Sequence, residues 1–137
     1  MLWQHRKAAD AQHRAAEFAA AARQGVVNLM SMDSGAAKES VQRVIDNSTG
    51  KFQANVKDGA DDLIKAMQDA KVVTKVTVND VAVEEVTGDT AVVLVAATSE
   101  RDDANAPKAD KQPRVWRVII TVVRDGGQIK VSDVEFA

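Results

Sequence analysis

The sequence predicts an α+β fold in which three N-terminal helices pack on a bent, four-stranded antiparallel sheet. The prediction depends on how two residue types are distributed along the chain. Most of the 23 Ala residues lie before position 71, whereas 16 of the 21 Val residues lie after it. Ala is the best helix former, and Val favours the pleated sheet. This separation of helices from strands is typical of α+β rather than α/β proteins.

The first helix is predicted over residues 2–32, which contain no Pro. Its apolar positions recur at steps of three and four and therefore share one face: Ala15, Phe18, Ala22, Val26, Leu29 and Met30. Gly25 lies in this row, and because Gly costs about 1 kcal/mol relative to Ala in a helix, we expect another element to pack closely there. Before position 15 polar residues cover most of the circumference. We therefore expect a membrane-proximal helical stalk over 1–14 and a single folded domain over 15–137.

Two shorter helices are predicted to follow. The segment Asp33-Ser34-Gly35 breaks the first helix and offers an N-cap for the second, which ends near Asn47–Gly50. The third helix is predicted to end near Ala70 or Lys71. Its apolar residues recur at helical spacing throughout: Phe52, Val56, Ala60, Leu63 and Met67.

Four strands complete the predicted fold as a meander over 72–86, 90–98, 113–124 and a last strand that ends the chain. The alternation of apolar residues changes phase at Asn79-Asp80 and again at Ser132-Asp133. A phase change moves later side chains to the opposite face unless a β-bulge compensates, so Asn79-Asp80 indicates a bulge or a sharp bend, and Ser132-Asp133 could hold a second bulge. The polar segment 100–112 is predicted to be a long, mobile hairpin loop.

Composition excludes several functional classes. The chain has 137 residues, which suits one domain. Without Cys it has no disulfide, thiolate metal site or cysteine nucleophile, and it also lacks Tyr. A formal net charge of -2 disfavours nucleic-acid binding through bulk positive charge. No run of about 18 apolar residues is present to span a membrane.

The residues that carry chemistry are poorly placed for catalysis. His5 and His13 are eight residues apart on one helix, so about 12 Å of axial rise separates them and they cannot share a metal ion. The sequence has neither a G-x-S-x-G elbow nor a glycine-rich phosphate loop. Only Asp33, Asp46 and Asp80 remain as acids that could face a cavity. We therefore predict a protein that is not an enzyme, with no catalytic residues, metal or cofactor.

Two sets of apolar residues are candidates for contacts with other molecules. Phe18, Trp116 and Phe136 could line an apolar pocket of lipid size, and plain core packing is the alternative. Leu2 and Trp3 could contact a membrane surface, because Trp favours the membrane interface. The alternative for this pair is an exposed apolar end.

Five fragments in fixed order resemble the soluble domain of an actinobacterial Mce-associated membrane protein. They are residues 20–33 (AAARQGVVNLMSMD), 44–52 (VIDNSTGKF), 91–95 (AVVLV), 113–118 (PRVWRV) and 131–136 (VSDVEF). The resemblance covers nearly the whole chain. One departure is Ile129, which stands where this family often has Trp after the turn glycines.

The resemblance implies an extracytoplasmic domain of a single-pass protein of the cell membrane, anchored by a helix that is not in this chain. It further implies a cystatin-like or SnoaL-like cone that stabilises or assembles an Mce-type lipid or sterol transport complex. The implied partners are Mce transporter subunits or related envelope proteins and the membrane, with no nucleic acid, and a lipid ligand remains open. Two alternatives are a SnoaL-like cone that binds a small hydrophobic ligand or acts on it, and an assembly domain of a type IV secretion-like system.

Overall fold

The computed structural model describes residues 2–71, 73–102 and 112–137, and side chains within 12–71, 73–101 and 112–137. It confirms the α+β class. A helical half precedes a four-stranded sheet. The helices are α1 (Leu2–Met30), α2 (Ala37–Asp46), α3 (Gly50–Asp58) and α4 (Ala60–Ala70), with a 3₁₀ turn (Ser34–Ala36) before α2. The strands are β1 (Val73–Thr87), β2 (Thr90–Asp102), β3 (Arg114–Asp125) and β4 (Gln128–Phe136).

The first helix ends where its backbone begins to pair with the sheet. Met32 donates its N–H to the carbonyl of Thr74 at 3.2 Å and accepts the Thr74 N–H at 2.7 Å. Asp33 then caps the 3₁₀ turn, because its carboxylate accepts the N–H of Gly35 at 2.9 Å. Asp33 thus caps this turn rather than α2 as predicted, because α2 has Ala36 as its N-cap and no side-chain hydrogen bond there.

The third predicted helix is divided in two at Gly59, which ends α3 and precedes α4. The break alters which side chains face inward. Ile64 and Met67 pack against the α2 residues Val41 and Ile45, whereas Leu63, predicted to face inward, is 39% exposed. The four-residue apolar spacing continues across the break and therefore conceals it in the sequence.

The sheet is an antiparallel meander in the order β1-β2-β3-β4. Both predicted bulges are present, at Asn79 in β1 and at Ser132 in β4, and a further register shift occurs at Glu84. Each extra residue restores the phase of the strand, so the apolar residues before and after it meet the same core. These residues are Val76, Val78, Val81 and Val83 in β1, and Ile129, Val131 and Val134 in β4.

The main core lies between α1 and one face of the sheet, which we call the inner face. Phe18, Ala22 and Val26 of α1 have 0% exposure and pack against buried residues of the central strands. Gly25 allows this close approach: a Cβ there would lie 2.8 Å from Cγ2 of Val131 and 3.1 Å from Cδ1 of Ile120. The predicted reason for Gly25 is thus confirmed.

The second face of the sheet, here called the outer face, also carries apolar side chains. Val115 is 74% exposed on it, and Leu94 and Ile119 are partly buried neighbours on adjacent strands. The strand β2 is therefore apolar on both faces, because Val93 and Val95 are buried on the inner face.

Candidate functional site

The inner face of the sheet extends beyond the end of α1. That helix stops at Met30, whereas β2 continues to Asp102 and β3 begins at Arg114. The uncovered part forms an open depression of about 340 Å³, lined by Met30, Thr74, Ser99, Trp116 and Phe136. We call it the terminal cleft.

Two aromatic rings form the apolar wall of the terminal cleft. The ring centroids of Trp116 and Phe136 are 5.9 Å apart at an interplanar angle of 70°, an edge-to-face arrangement. Nε1 of Trp116 donates to Oγ of Ser99 at 2.7 Å, which fixes the orientation of the indole. Phe136 is 52% exposed, so the wall is accessible from solvent.

A second depression of about 380 Å³ continues the cleft and shares Thr74, Ser99 and Trp116 with it. Its other lining residues are polar or cationic: Arg101, Gln112 and Arg114. Strand pairing places Arg114 opposite Ser99 and Arg101 opposite Thr74. The terminal cleft therefore has an apolar end and a cationic end.

The structure separates the three residues predicted to line an apolar pocket. Trp116 and Phe136 meet at the terminal cleft, whereas Phe18 is fully buried in the core and lines no part of it. Sequence reasoning missed the cationic end because it ended the second strand at Thr98. Continued alternation along β2 would have placed Ser99 and Arg101 on the inner face with Ala97.

The interior between α1 and the sheet is filled by side chains. Where α1, the α2–α3 region and β4 meet, the free space is about 10 Å³, roughly the volume that one water molecule requires. An enclosed cavity of the kind that an enzymatic cone needs is therefore not present in this part of the described structure.

None of the three acids considered for catalysis faces a cavity, which corrects that expectation: Asp33, Asp46 and Asp80 are all exposed. Each of these carboxylates accepts a hydrogen bond from a nearby group. Gln42 donates to Asp46 at 2.8 Å, and the N–H of Val81 donates to Asp80 at 3.0 Å. Among the described residues, no group of three or more His, Asp or Glu side chains is placed to hold a metal ion.

Charged side chains fasten α1 to the opposite end of the sheet. Arg14 donates to the carbonyl of Gly88 in the β1–β2 turn, and Arg124 of β3 forms an ion pair with Glu17. His13 lies 2.9 Å from the same carboxylate and is 76% exposed, in agreement with a surface histidine. Among the described side chains of α1, which begin at residue 12, Arg14 and Glu17 make these contacts with the sheet, and the stalk over 1–14 stays a prediction.

This ion pair affects how stability depends on pH. The hydrogen bond from Arg124, followed by the positive charge of Arg124 and the nearby His13, holds the pKa of Glu17 below its ordinary value of 4.5, against some desolvation. A carboxyl group whose pKa is lowered by folding stabilises the fold above its ordinary pKa, and this contribution is lost as the pH falls through the folded value. We expect Glu17→Gln to flatten the stability profile below about pH 4.5.

The profile can be measured as the urea midpoint between pH 7 and pH 3. Glu84→Gln serves as the control, because Glu84 is an exposed glutamate on β1. We expect this control to retain the wild-type slope. An unchanged slope in Glu17→Gln would contradict the assigned role of the ion pair.

The side chains of Leu2, Trp3 and His5 lie outside the described part of the structure, although their backbone belongs to α1. The membrane contact of Leu2 and Trp3 stays a prediction. Among the described residues, no helix combines the length and the apolar composition required to cross a bilayer.

A model of the family described as "Uncharacterized protein Rv1363c/MT1408-like" matches residues 1–137. The chain belongs to the Rv1363c/MT1408-like family. A curated relative, protein Rv1363c of Mycobacterium tuberculosis, is 50% identical over 136 residues, which are 99% of this chain and 51% of the relative. This member of the Rv1363c/MT1408-like family therefore spans about half the length of that relative.

Several solved structures have the same fold, and they include a protein of a type IV secretion system. CagV, a VirB8 homologue from Helicobacter pylori, has a TM-score of 0.66 at 13% identity over 89% of this chain and 97% of its own. A periplasmic fragment of TraM has a TM-score of 0.68 at 10% identity over 91% and 96% of the two chains. At these identities the likeness establishes the fold of this Rv1363c/MT1408-like domain, and it confirms the predicted α+β architecture.

Proposed function

We propose that this domain is a non-enzymatic assembly module of an envelope complex, held on the extracytoplasmic side of the cell membrane. The observation that supports it most is the common fold with the VirB8 homologue CagV and the periplasmic fragment of TraM. A shared fold does not fix a function by itself, so the proposal also depends on the residues of this chain.

The distribution of side chains favours binding over catalysis. Interior space is occupied by apolar side chains, and the acids considered for catalysis are exposed. The outer face of the sheet presents Val115 at 74% exposure, and further along the strands it carries the paired, partly buried Leu94 and Ile119. Contact with other proteins at the surface therefore suits this domain better than an enclosed reaction site does.

The structural neighbours favour a secretion-type assembly role over a specific link to Mce transporters. The link to Mce transporters depends only on the five sequence fragments that resemble Mce-associated proteins. From this resemblance we propose Mce transporter subunits as the specific partners of the domain. A single-pass anchor preceding the stalk at residues 1–14 belongs to the same proposal. A lipid or sterol would then be cargo of the complex rather than a substrate of this domain.

Affinity purification of the native full-length protein from membranes of its own host tests the proposal. The matched control is the same protein with residues 15–137 deleted, which keeps the stalk and removes the domain. We expect envelope transport or secretion subunits to be enriched with the full-length protein and lost with the control. Loss of the gene should also lower the abundance of those subunits.

The identity of the enriched subunits separates the two versions. Enrichment of Mce subunits would support a role in a transporter complex. Enrichment of secretion components would support a role in a secretion-type complex. Equal enrichment of envelope proteins by the full-length protein and the control would contradict an assembly role for this domain.

A further inference from the structure

We propose that the terminal cleft binds a small carboxylate that carries an aliphatic chain. The chain would lie against Trp116 and Phe136, and the carboxylate would meet Arg114. This inference goes beyond the assembly role and does not depend on it.

The apolar end of the cleft is preorganised. Because the indole N–H of Trp116 already donates to Ser99, the ring offers its apolar surface to a ligand without leaving a polar atom unpaired. Phe136 holds its position by edge-to-face contact with that ring, and Met30 adds a flexible apolar side chain from the end of α1.

The cationic end determines the charge of the ligand. Arg114 lies at the rim of the cleft, opposite Ser99. Arg101 lines the same end of the cleft and already interacts with another group. No acidic residue belongs to the described lining of either depression. A guanidinium group binds a carboxylate through two parallel hydrogen bonds, so an anion of this type fits better than a neutral molecule.

The dimensions of the cleft fit a small ligand. The two connected depressions, of about 340 and 380 Å³, are each near the lower end of the range of about 300–1,000 Å³ for small-molecule sites. Because Phe136 is 52% exposed, one side of the ligand would remain in water. We therefore expect weak and reversible binding rather than a permanently enclosed lipid.

Trp116 offers a direct measurement. The chain contains two Trp residues, so Trp3→Phe leaves Trp116 as the sole indole fluorophore. In this background we expect decanoate to change the emission of Trp116 in a saturable way. Decanol, which has the same chain and no charge, should bind more weakly.

Three arginine substitutions separate the specific contact of Arg114 from the effect of general charge. Because a charge-assisted hydrogen bond at an exposed site contributes about 1 kcal/mol, Arg114→Gln should weaken decanoate binding about fivefold. Arg43→Gln is the matched control, since Arg43 is exposed on α2, which contributes no lining residue. Arg114→Lys, which keeps the charge, should retain an intermediate affinity. Binding of decanol should be the same in all of these proteins.

Three results would overturn the proposal. The first is no saturable response of Trp116 to decanoate. The second is equal affinity of Arg114→Gln and Arg43→Gln for decanoate, with circular dichroism confirming that both are folded. The third is equal affinity of the wild type for decanoate and decanol, since the cationic end would then play no part.

Discussion

Replacing Phe18 with Ala is expected to lower the free energy of unfolding by about 3–5 kcal/mol, the range for truncation of a buried aromatic residue. Phe18 has 0% exposure and belongs to the core that joins α1 to the sheet. The substitution removes the ring and leaves a cavity that the rigid sheet cannot close. Urea denaturation followed by circular dichroism measures the loss.

Phe136→Ala is the matched control because it deletes the same ring from a site that is 52% exposed. We expect a loss of about 1 kcal/mol, mostly from the edge-to-face contact with Trp116. Similar losses in the two variants would contradict the conclusion that Phe18 is a core residue rather than part of an accessible pocket.

Replacing Gly25 with Val is expected to destabilise the fold by about 2–3 kcal/mol, near the upper range for overpacking a core. A Cβ at this position would already lie 2.8 Å from Cγ2 of Val131, and Val131 is itself a stiff β-branched residue. Gly25→Ala should cost less, since better helix propensity offsets about 1 kcal/mol of the strain. Thermal unfolding of both variants shows which of them is less stable.

Gly127→Ala provides the control for the loss of a glycine. A Cβ at Gly127 would meet no heavy atom within 4 Å, so we expect a change of less than about 0.5 kcal/mol. If Gly25→Val were as stable as this control, α1 could not pack against β4 as closely as the structure indicates.

The sheet was predicted well because successive side chains of a strand point to opposite faces, which gives a pattern with a period of two. A phase change in that period has few physical explanations, and so the bulges at Asn79 and Ser132 were predictable. The division of the third helix at Gly59 was not predicted. Two helices in line can share one apolar spacing, and a single Gly in a helical pattern does not by itself predict a break.

The terminal cleft was predicted only in part. Trp116 and Phe136 stand out as rare aromatic residues, but Phe136 reaches the inner face only because the bulge at Ser132 shifts the strand by one residue. Arg114 could not be assigned to the cleft from sequence alone, since its position depends on the strand register and on α1 ending at Met30. Both are tertiary features.

The two irregularities in β1 also affect the edge of the sheet that this strand forms. At 15 residues β1 is a long edge strand, and a flat edge of that length is a template on which another chain can aggregate. The irregularities at Asn79 and Glu84 interrupt the regular spacing of its outward N–H and C=O groups, and charged Lys75 and Glu85 are exposed on the same strand. The displaced residues that keep the valines in the core therefore also discourage a second copy from adding a strand to the sheet.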